Sequence, residues 1–386
     1  MIEATLARTD LDLSDEQRDF TRAVRDFCER ELGGDRLREL TDGFSDLHHD
    51  ETARRMAELG WLGLTIDERY GGSGGSFTDA ALFLEETAHG QAPIGAYAVT
   101  LIVVGALNRF GTEEQKADLL GRVAGGGALA IAMSEPEAGS DVAALRTRAR
   151  RDDGEWVIDG AKMWCSYAHK ASHVLVVCRT GERDRHEDLS MIFVPREADG
   201  FTMTPIETLG GTETNELHLE GCRVPAGALL GEEGQGWTQL MAGLNNERVI
   251  LGAQALGLAQ RAFDDALAYA KERIQFGRPI GRFQAIQHKF ADMATDLAQA
   301  RLLVRSVARM TDEEPDRVLA QEASMVKLAT TELAKRCALE GMQIMGGYGY
   351  ASEYPMERYL RSAVVTTIFG GTSEIQRNII AKTLGL

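Results

Sequence analysis

The chain has 386 residues, more than one hydrophobic core usually organises, so two or three packed regions are expected. Its 42 Lys and Arg against 59 Asp and Glu leave a formal charge of -17, which repels phosphate backbones and anionic membrane surfaces and argues against nucleic acid or membrane as partners. A hydrophobic share of 44% with 26% charged residues fits a folded globular chain, and 41 Gly against 8 Pro point to tight turns and ligand loops. Five scattered cysteines, none in a CxxC pair, favour neither a disulfide framework nor a metal site and suit a reducing compartment. The acidic start lacks the basic-then-apolar order of a signal peptide, and the apolar run "AYAVTLIVVGAL" is too short to span a bilayer. A cytoplasmic enzyme is the expectation.

Helical periodicity begins at Ser14, where Phe20, Val24, Phe27 and Cys28 share a face and Gln17 completes a capping box with Ser14. Further helical stretches are predicted over 51–60, 77–90, 94–109 and 113–124, broken by Gly-rich segments such as "YGGSGGS". The texture then changes. "LAIAMS", "EWVIDGAKMWCS", "HVLVVCRT", "LSMIFVP" and "NELHLEGCRVP" are short, rich in β-branched and aromatic residues, and bounded by turn formers. No helix-length segment interrupts them, which disfavours a parallel sheet with crossover helices against a barrel or sandwich. Helical patterns return over 237–275, 283–310, 316–346 and 373–384. The fold class expected is α+β: an N-terminal helical domain (1–127), a middle β-barrel or sandwich domain (128–236) and a C-terminal four-helix bundle (237–386).

Two stretches carry a resemblance. "MSEPEAGSD" at 133–141 and "QIMGGYGYASEYPMERYLR" at 343–361, the latter followed by "GTSEIQR" at 371–377, resemble the two signature regions of the acyl-CoA dehydrogenases, and the order helical, β, helical is also that family's. The resemblance implies a homotetrameric FAD enzyme, a dimer of dimers, that introduces a trans double bond into an acyl-CoA thioester and passes electrons to an electron-transferring flavoprotein. Within the first motif it implies cofactor contacts from Ser134, Gly139 and Ser140, the last also near substrate. "WCS" matches a Trp-x-Thr/Ser strand, so Trp164 would lie along the flavin and Ser166 would bond near its N5. "ERIQFGRPI" resembles the stretch reaching a neighbouring subunit's FAD. Arg273 would meet the pyrophosphate, where a guanidinium fork suits paired phosphate oxygens, with Phe276 beside it. Gln284, Gln343 and Gly347 would hold the same FAD, while Thr372 and Glu374 match positions at its ADP portion. His169 departs from the family's usual choice and reads as a surface or pocket-rim residue.

Abstraction of a proton α to a thioester needs a base and a donor to the carbonyl. In most members the base sits directly before "GT", where this chain has Gly370. A minority, including the long-chain and isovaleryl types, supply it from an "ER" pair at the start of a C-terminal helix. Here that pair is Glu247–Arg248 in "GLNNERVIL", which assigns Glu247 as base, Arg248 and Phe369 to substrate, and the Gly370 N–H to the thioester carbonyl. Rival carboxylates are Glu135, Asp141, Glu213, Glu216 and Glu374. Besides an acyl-CoA dehydrogenase, three readings stay open: a dehydrogenase of carrier-protein-bound acyl thioesters, an acyl-CoA oxidase, and a non-catalytic flavin or acyl-CoA-binding subunit.

Overall fold

A computed structural model describes residues 13–33, 36–41, 46–182 and 186–386. In chain order the helices are α1 (Asp15–Leu32), α2 (Arg36–Leu40), α3 (Asp50–Glu58), α4 (Phe77–His89), α5 (Gly95–Phe110), α6 (Glu113–Gln115) and α7 (Gly121–Ala124). Strands β1 (Ala128–Ala132), β2 (Arg148–Asp152), β3 (Glu155–Ser166), β4 (Ala171–Arg179), β5 (Leu189–Pro195), β6 (Phe201–Thr208), β7 (Gly211–Pro225) and β8 (Leu229–Leu230) follow. The chain ends with α8 (Gly236–Glu272), β9 (Ile274–Gln275), β10 (Arg278–Pro279), α9 (Gln284–Glu313), α10 (Ala320–Met345), α11 (Gly347–Tyr350), α12 (Met356–Thr366) and α13 (Ser373–Thr383). The result is α+β, helical at both ends with a sheet between. It packs as two units, one from Met1–Leu37, Phe77–Ala92 and Arg248–Leu386, the other from Arg38–Ser76 and Pro93–Glu247, the boundary falling inside α8.

The second unit is built on one sheet in the order β6-β7-β3-β2-β4-β5-β8, with β1 on β4. Its pairings are antiparallel except β1 on β4 and a one-residue link of β2 to β4. The parallel pair needs no crossover helix, since β1 reaches β4 through the β2–β3 hairpin. Successive residues of β1, β4 and β5 serve two cores, which explains their near-continuous apolar runs. Leu129, Ile131, Leu175, Val177, Met191 and Phe193 pack with Val103, Val104 and Leu107 of α5. Ala130, Ala132, Val174, Val176, Ile192 and Val194 pack with Trp156, Ile158, Leu217 and Leu219 of β3 and β7.

Beneath the loop after β1 lies a buried ion pair. The Lys162 ammonium is fully buried and donates to Glu135 Oε1 (2.8 Å) and to the Met133 carbonyl (3.0 Å). Glu135 also accepts from the backbone N–H groups of Arg146 (2.6 Å) and Thr147 (2.9 Å). Burial pushes the Glu135 carboxyl up, but Lys162 and these hydrogen bonds outweigh it and hold it below the usual carboxylate range.

The first unit is a set of packed helices in which α10 meets α9, α12 and α13, and α4 meets α1 and α9. The capping box forms as expected, Gln17 N–H donating to Ser14 Oγ and Ser14 N–H to Gln17 Oε1. Gly252 and Gly257 let α8 approach its neighbours: a Cβ there would lie 2.5 Å from Val326 Cγ1 of α10 and 2.1 Å from the Glu85 carbonyl of α4. The Arg301 guanidinium crosses this core to Glu85 (2.8 Å) and Gln260 (2.9 Å). The start of α4 is capped from α9, where Asp312 accepts from the N–H groups of Phe77 (2.7 Å) and Thr78 (2.9 Å) and from Thr78 Oγ1 (2.5 Å).

Asp312→Ala should cost about 0.5–2 kcal/mol, the range for loss of a capping side chain, read as a lower denaturant midpoint. Glu135→Gln strands the Lys162 ammonium and should cost roughly 3–5 kcal/mol at neutral pH. Because the folded carboxyl titrates below the unfolded one, its stabilisation is complete above about pH 4.3 and is lost as the pH falls through the folded value. Stability curves of wild type and Glu135→Gln should therefore converge in acid and diverge toward neutral pH.

Candidate active site

In the second unit, the loop after β1 and the end of β3 are stitched together. Ser134 is half-buried and its carbonyl accepts from the Met163 N–H at 2.9 Å, while Gly139 and Ser140 stand exposed on the turn beyond it. Glu135 is tied into the pair with Lys162, which gives that rival carboxylate a structural job. Near its end β3 bulges: Lys162 faces Leu217 and Cys165 faces Asn215, so two residues of β3 oppose one of β7. Trp164 sits in that bulge at φ +62 with 55% of its surface exposed. A bulky residue in the left-handed region stores strain and turns an aromatic face outward. Ser166, two residues on, faces Thr214.

Tyr167 also has positive φ (+56) and is buried, with its hydroxyl so near Gly95 that a Cβ there would lie 2.0 Å away. Burial pushes its phenol pKa up. His169 is half-buried and its Nδ1 lies 3.1 Å from Asn215 Nδ2, in keeping with a rim residue. Glu216 pairs with His218 at 3.2 Å. Glu213 keeps one buried oxygen, Oε2, without a hydrogen-bond partner, so it remains a rival to be tested. Glu247, the last residue of this unit, is 4% exposed on α8.

In the first unit, Arg273 and Gly347 line one open cleft of about 510 Å³ together with Tyr269, Tyr348 and Tyr354. The Arg273 guanidinium lies 5.4 Å from the centre of the Tyr348 ring. Gly346 adopts φ +61, ψ -137, a conformation side chains avoid, and a Cβ on Gly346 or Gly347 would meet open space. A guanidinium fork beside bare backbone is chemistry suited to phosphate oxygens. From the edge of the cleft rises the β9–β10 hairpin. Its two turn residues, Phe276 (φ +52) and Gly277 (φ +77), are both left-handed, the pattern of a two-residue hairpin turn. Phe276 stands 93% exposed at the tip, 6.1 Å from Phe283, which precedes Gln284. Gln284 and Gln343 are exposed.

The terminal loop belongs to the same unit. Gly370 and Gly371 have φ of +61 and +81, and Phe369 is 37% exposed. Thr372 caps α13 by accepting from the Ile375 N–H. The exposed Glu374 carboxyl is held low by its own backbone N–H and then by the Thr372 hydroxyl. Arg248 is buried. Three residues missed in the sequence bear on these loops: Lys162, Lys327 and Gln376. Buried polar residues in otherwise apolar patterns were the available signal. Among the described residues no cluster of His, Cys, Asp and Glu could hold a metal, and no helix is long and apolar enough to cross a membrane.

Three family models match: acyl-CoA dehydrogenase N-terminal domain over residues 14–127, middle domain over 130–222 and C-terminal domain over 234–385. A probable acyl-CoA dehydrogenase of Bacillus subtilis is 40% identical over 97% of this chain and 99% of its own length. Acryloyl-CoA reductase (NADH) of Anaerotignum propionicum is 38% identical over 98% of this chain and 96% of its own. The solved structure of the prolyl acyl carrier protein oxidase AnaB superposes with a TM-score of 0.91 at 30% identity, covering 97% of this chain and 100% of that one. With full-length relatives and all three domains matched, the chain belongs to the acyl-CoA dehydrogenase family, FAD-dependent oxidoreductases that dehydrogenate acyl-CoA thioesters.

Proposed function

We propose that the protein introduces a trans-2,3 double bond into an acyl-CoA, with Glu247 as the base. The observation that carries this is the burial of Glu247 on α8 in a chain whose terminal loop offers glycine, at φ +61, where most of the family places a carboxylate. A carboxylate withdrawn from water is a stronger base toward a weakly acidic carbon. Glu247 takes the α proton, and the Gly370 N–H donates to the thioester carbonyl, drawing charge off the α carbon as the C–H bond breaks. FAD, which Arg273 and Trp164 would help to hold, would supply the acceptor for the hydride that leaves the β carbon.

The residues present fit that cofactor. The Arg273 fork beside the bare Gly346–Gly347 backbone suits the pyrophosphate, the strained, exposed Trp164 offers an aromatic face, and Ser134, Gly139, Ser140, Ser166, Thr372 and Glu374 supply small or hydrogen-bonding contacts. Gln284, Gln343 and Phe276 stand exposed, as residues that meet a neighbouring subunit's FAD should, which supports a homotetramer with shared sites. Arg248 and Phe369 are assigned to substrate, and an electron-transferring flavoprotein to reoxidation. The five free, buried cysteines support residence in a reducing compartment, the cytoplasm. The likeness to a prolyl carrier-protein oxidase supports a second reading, in which the thioester is on a carrier protein.

An anaerobic panel of acyl-CoA and acyl-carrier thioesters, watched by flavin absorbance, separates the two substrate classes. Glu247→Gln should keep its flavin and lose reduction by about two to four orders of magnitude, the span of a positioned general base; Glu213→Gln should stay near wild type. Loss in Glu213→Gln with retention in Glu247→Gln would move the base to β7. Arg273→Met should purify with a markedly lower flavin-to-protein ratio.

A further inference from the structure

The terminal loop is held by two side chains that play no part in the chemistry proposed so far. Lys327, on α10, is fully buried, and its ammonium donates to the Gly371 carbonyl at 2.9 Å. Gln376, on α13, is also fully buried, and its Nε2 donates to the carbonyls of Gly370 (3.0 Å) and Gly371 (2.9 Å). The Gln376 amide is oriented by these contacts, since the reverse assignment would set its oxygen against two carbonyl oxygens. The loop is closed at its base by the Ser373 N–H donating to the Thr367 carbonyl at 3.0 Å.

Fixing these two carbonyls fixes the peptides that carry them. In a trans peptide the C=O and N–H point in opposite directions, so carbonyls turned toward α10 and α13 turn the Gly371 and Thr372 N–H groups away from them. The Gly370 Cα is then placed by its own anchored carbonyl, and only its preceding peptide, which carries the Gly370 N–H, hangs from it. The positive φ at both glycines is part of the same arrangement. A Cβ on Gly371 would come within 2.7 Å of Gln376 Nε2, so a side chain there and this anchor exclude one another.

We propose that Lys327 and Gln376 are positioning residues for the reaction: they clamp the Gly370–Gly371 backbone so that the Gly370 N–H meets the thioester carbonyl at the angle that polarises it. This rests on the role proposed for Gly370. Burying an ammonium is costly, and a loop needing only a turn could form it with glycines alone. A donor set in advance loses little to reorganisation when charge develops on the carbonyl oxygen.

The test uses the FAD-loaded enzyme with Lys327→Met and Gln376→Met, near-isosteric changes that remove the donors. Two quantities are read: the limiting rate of anaerobic flavin reduction by whichever of butyryl-, isovaleryl- or octanoyl-CoA reduces wild type fastest, and the infrared carbonyl frequency of the matching 2-enoyl-CoA labelled with 13C at the thioester carbon. Each variant should keep its flavin and bind the enoyl-CoA within about threefold of wild type. Reduction should slow by about tenfold to a hundredfold, less than the loss of a whole oxyanion donor, and the carbonyl frequency should move toward its value in water. A bound frequency equal to wild type, with or without a slower rate, overturns the clamp and leaves the two residues a structural role. If one variant fails to hold flavin, the frequency measured in the other decides the matter. An unshifted carbonyl in the wild-type complex overturns the role of Gly370 instead.

Discussion

A buried ammonium must find oxygen, and in this protein two of them find it on the main chain. Lys162 reaches the Met133 carbonyl and Glu135 beneath the loop that follows β1. Lys327 reaches the Gly371 carbonyl beneath the terminal loop. Both are fully buried, so neither can trade its partner for water without a large penalty. The backbone segments they hold are those on which the cofactor and thioester contacts are assigned, one in each packing unit. Loops of this kind would otherwise be the most mobile parts of a fold, and precise chemistry on them requires that freedom to be removed.

Backbone strain marks other segments to which cofactor contacts are assigned. Trp164, Tyr167 and Phe276 are aromatic residues with positive φ, a conformation that costs each of them on the order of 1 kcal/mol or more. At Trp164 the cause is a bulge in β3 that swings the indole out of the sheet's alternation. At Phe276 it is a two-residue hairpin turn that lifts the ring to the tip. Neither ring recovers the cost by burial within this chain, since both are exposed. An aromatic surface presented at a conformational cost is better accounted for by a ligand or a second subunit than by packing.

The proposed division of labour at the thioester separates two jobs that one residue usually combines. Where the family's common arrangement has a carboxylate in the terminal loop, that residue offers both a side-chain base and a backbone donor. Here the loop residue is Gly370, and only the backbone task is left to it. Glycine suits that task because its φ of +61 comes without the penalty a side chain would incur. The proton is assigned to Glu247, on a regular helix, where rotamer and burial rather than loop geometry set the position of the carboxylate.

Much of this was legible in the order of residues. Periodicity alone located α1, α4, α5, α8, α9, α10 and α13 to within a few residues, because each has a face of apolar side chains that only a helix can gather. Short runs rich in β-branched and aromatic residues, bounded by turn formers, located β1, β3, β4, β5 and β7. β2, "RARRD", and β6 left no such pattern because their outward faces are charged or polar and they bury few side chains, and α12 was hidden inside a motif read for its likeness to a family. The candidate base was named from that likeness and from a missing carboxylate, not from any pattern of its own. The parallel seating of β1 on β4, the bulge that exposes Trp164 and the anchoring of the glycine loop by Lys327 and Gln376 were decided only by the tertiary structure. The strand seating, the bulge and the Lys327 contact depend on partners tens of residues away, and a local pattern records which face of an element is apolar but not which carbonyl a buried donor will meet.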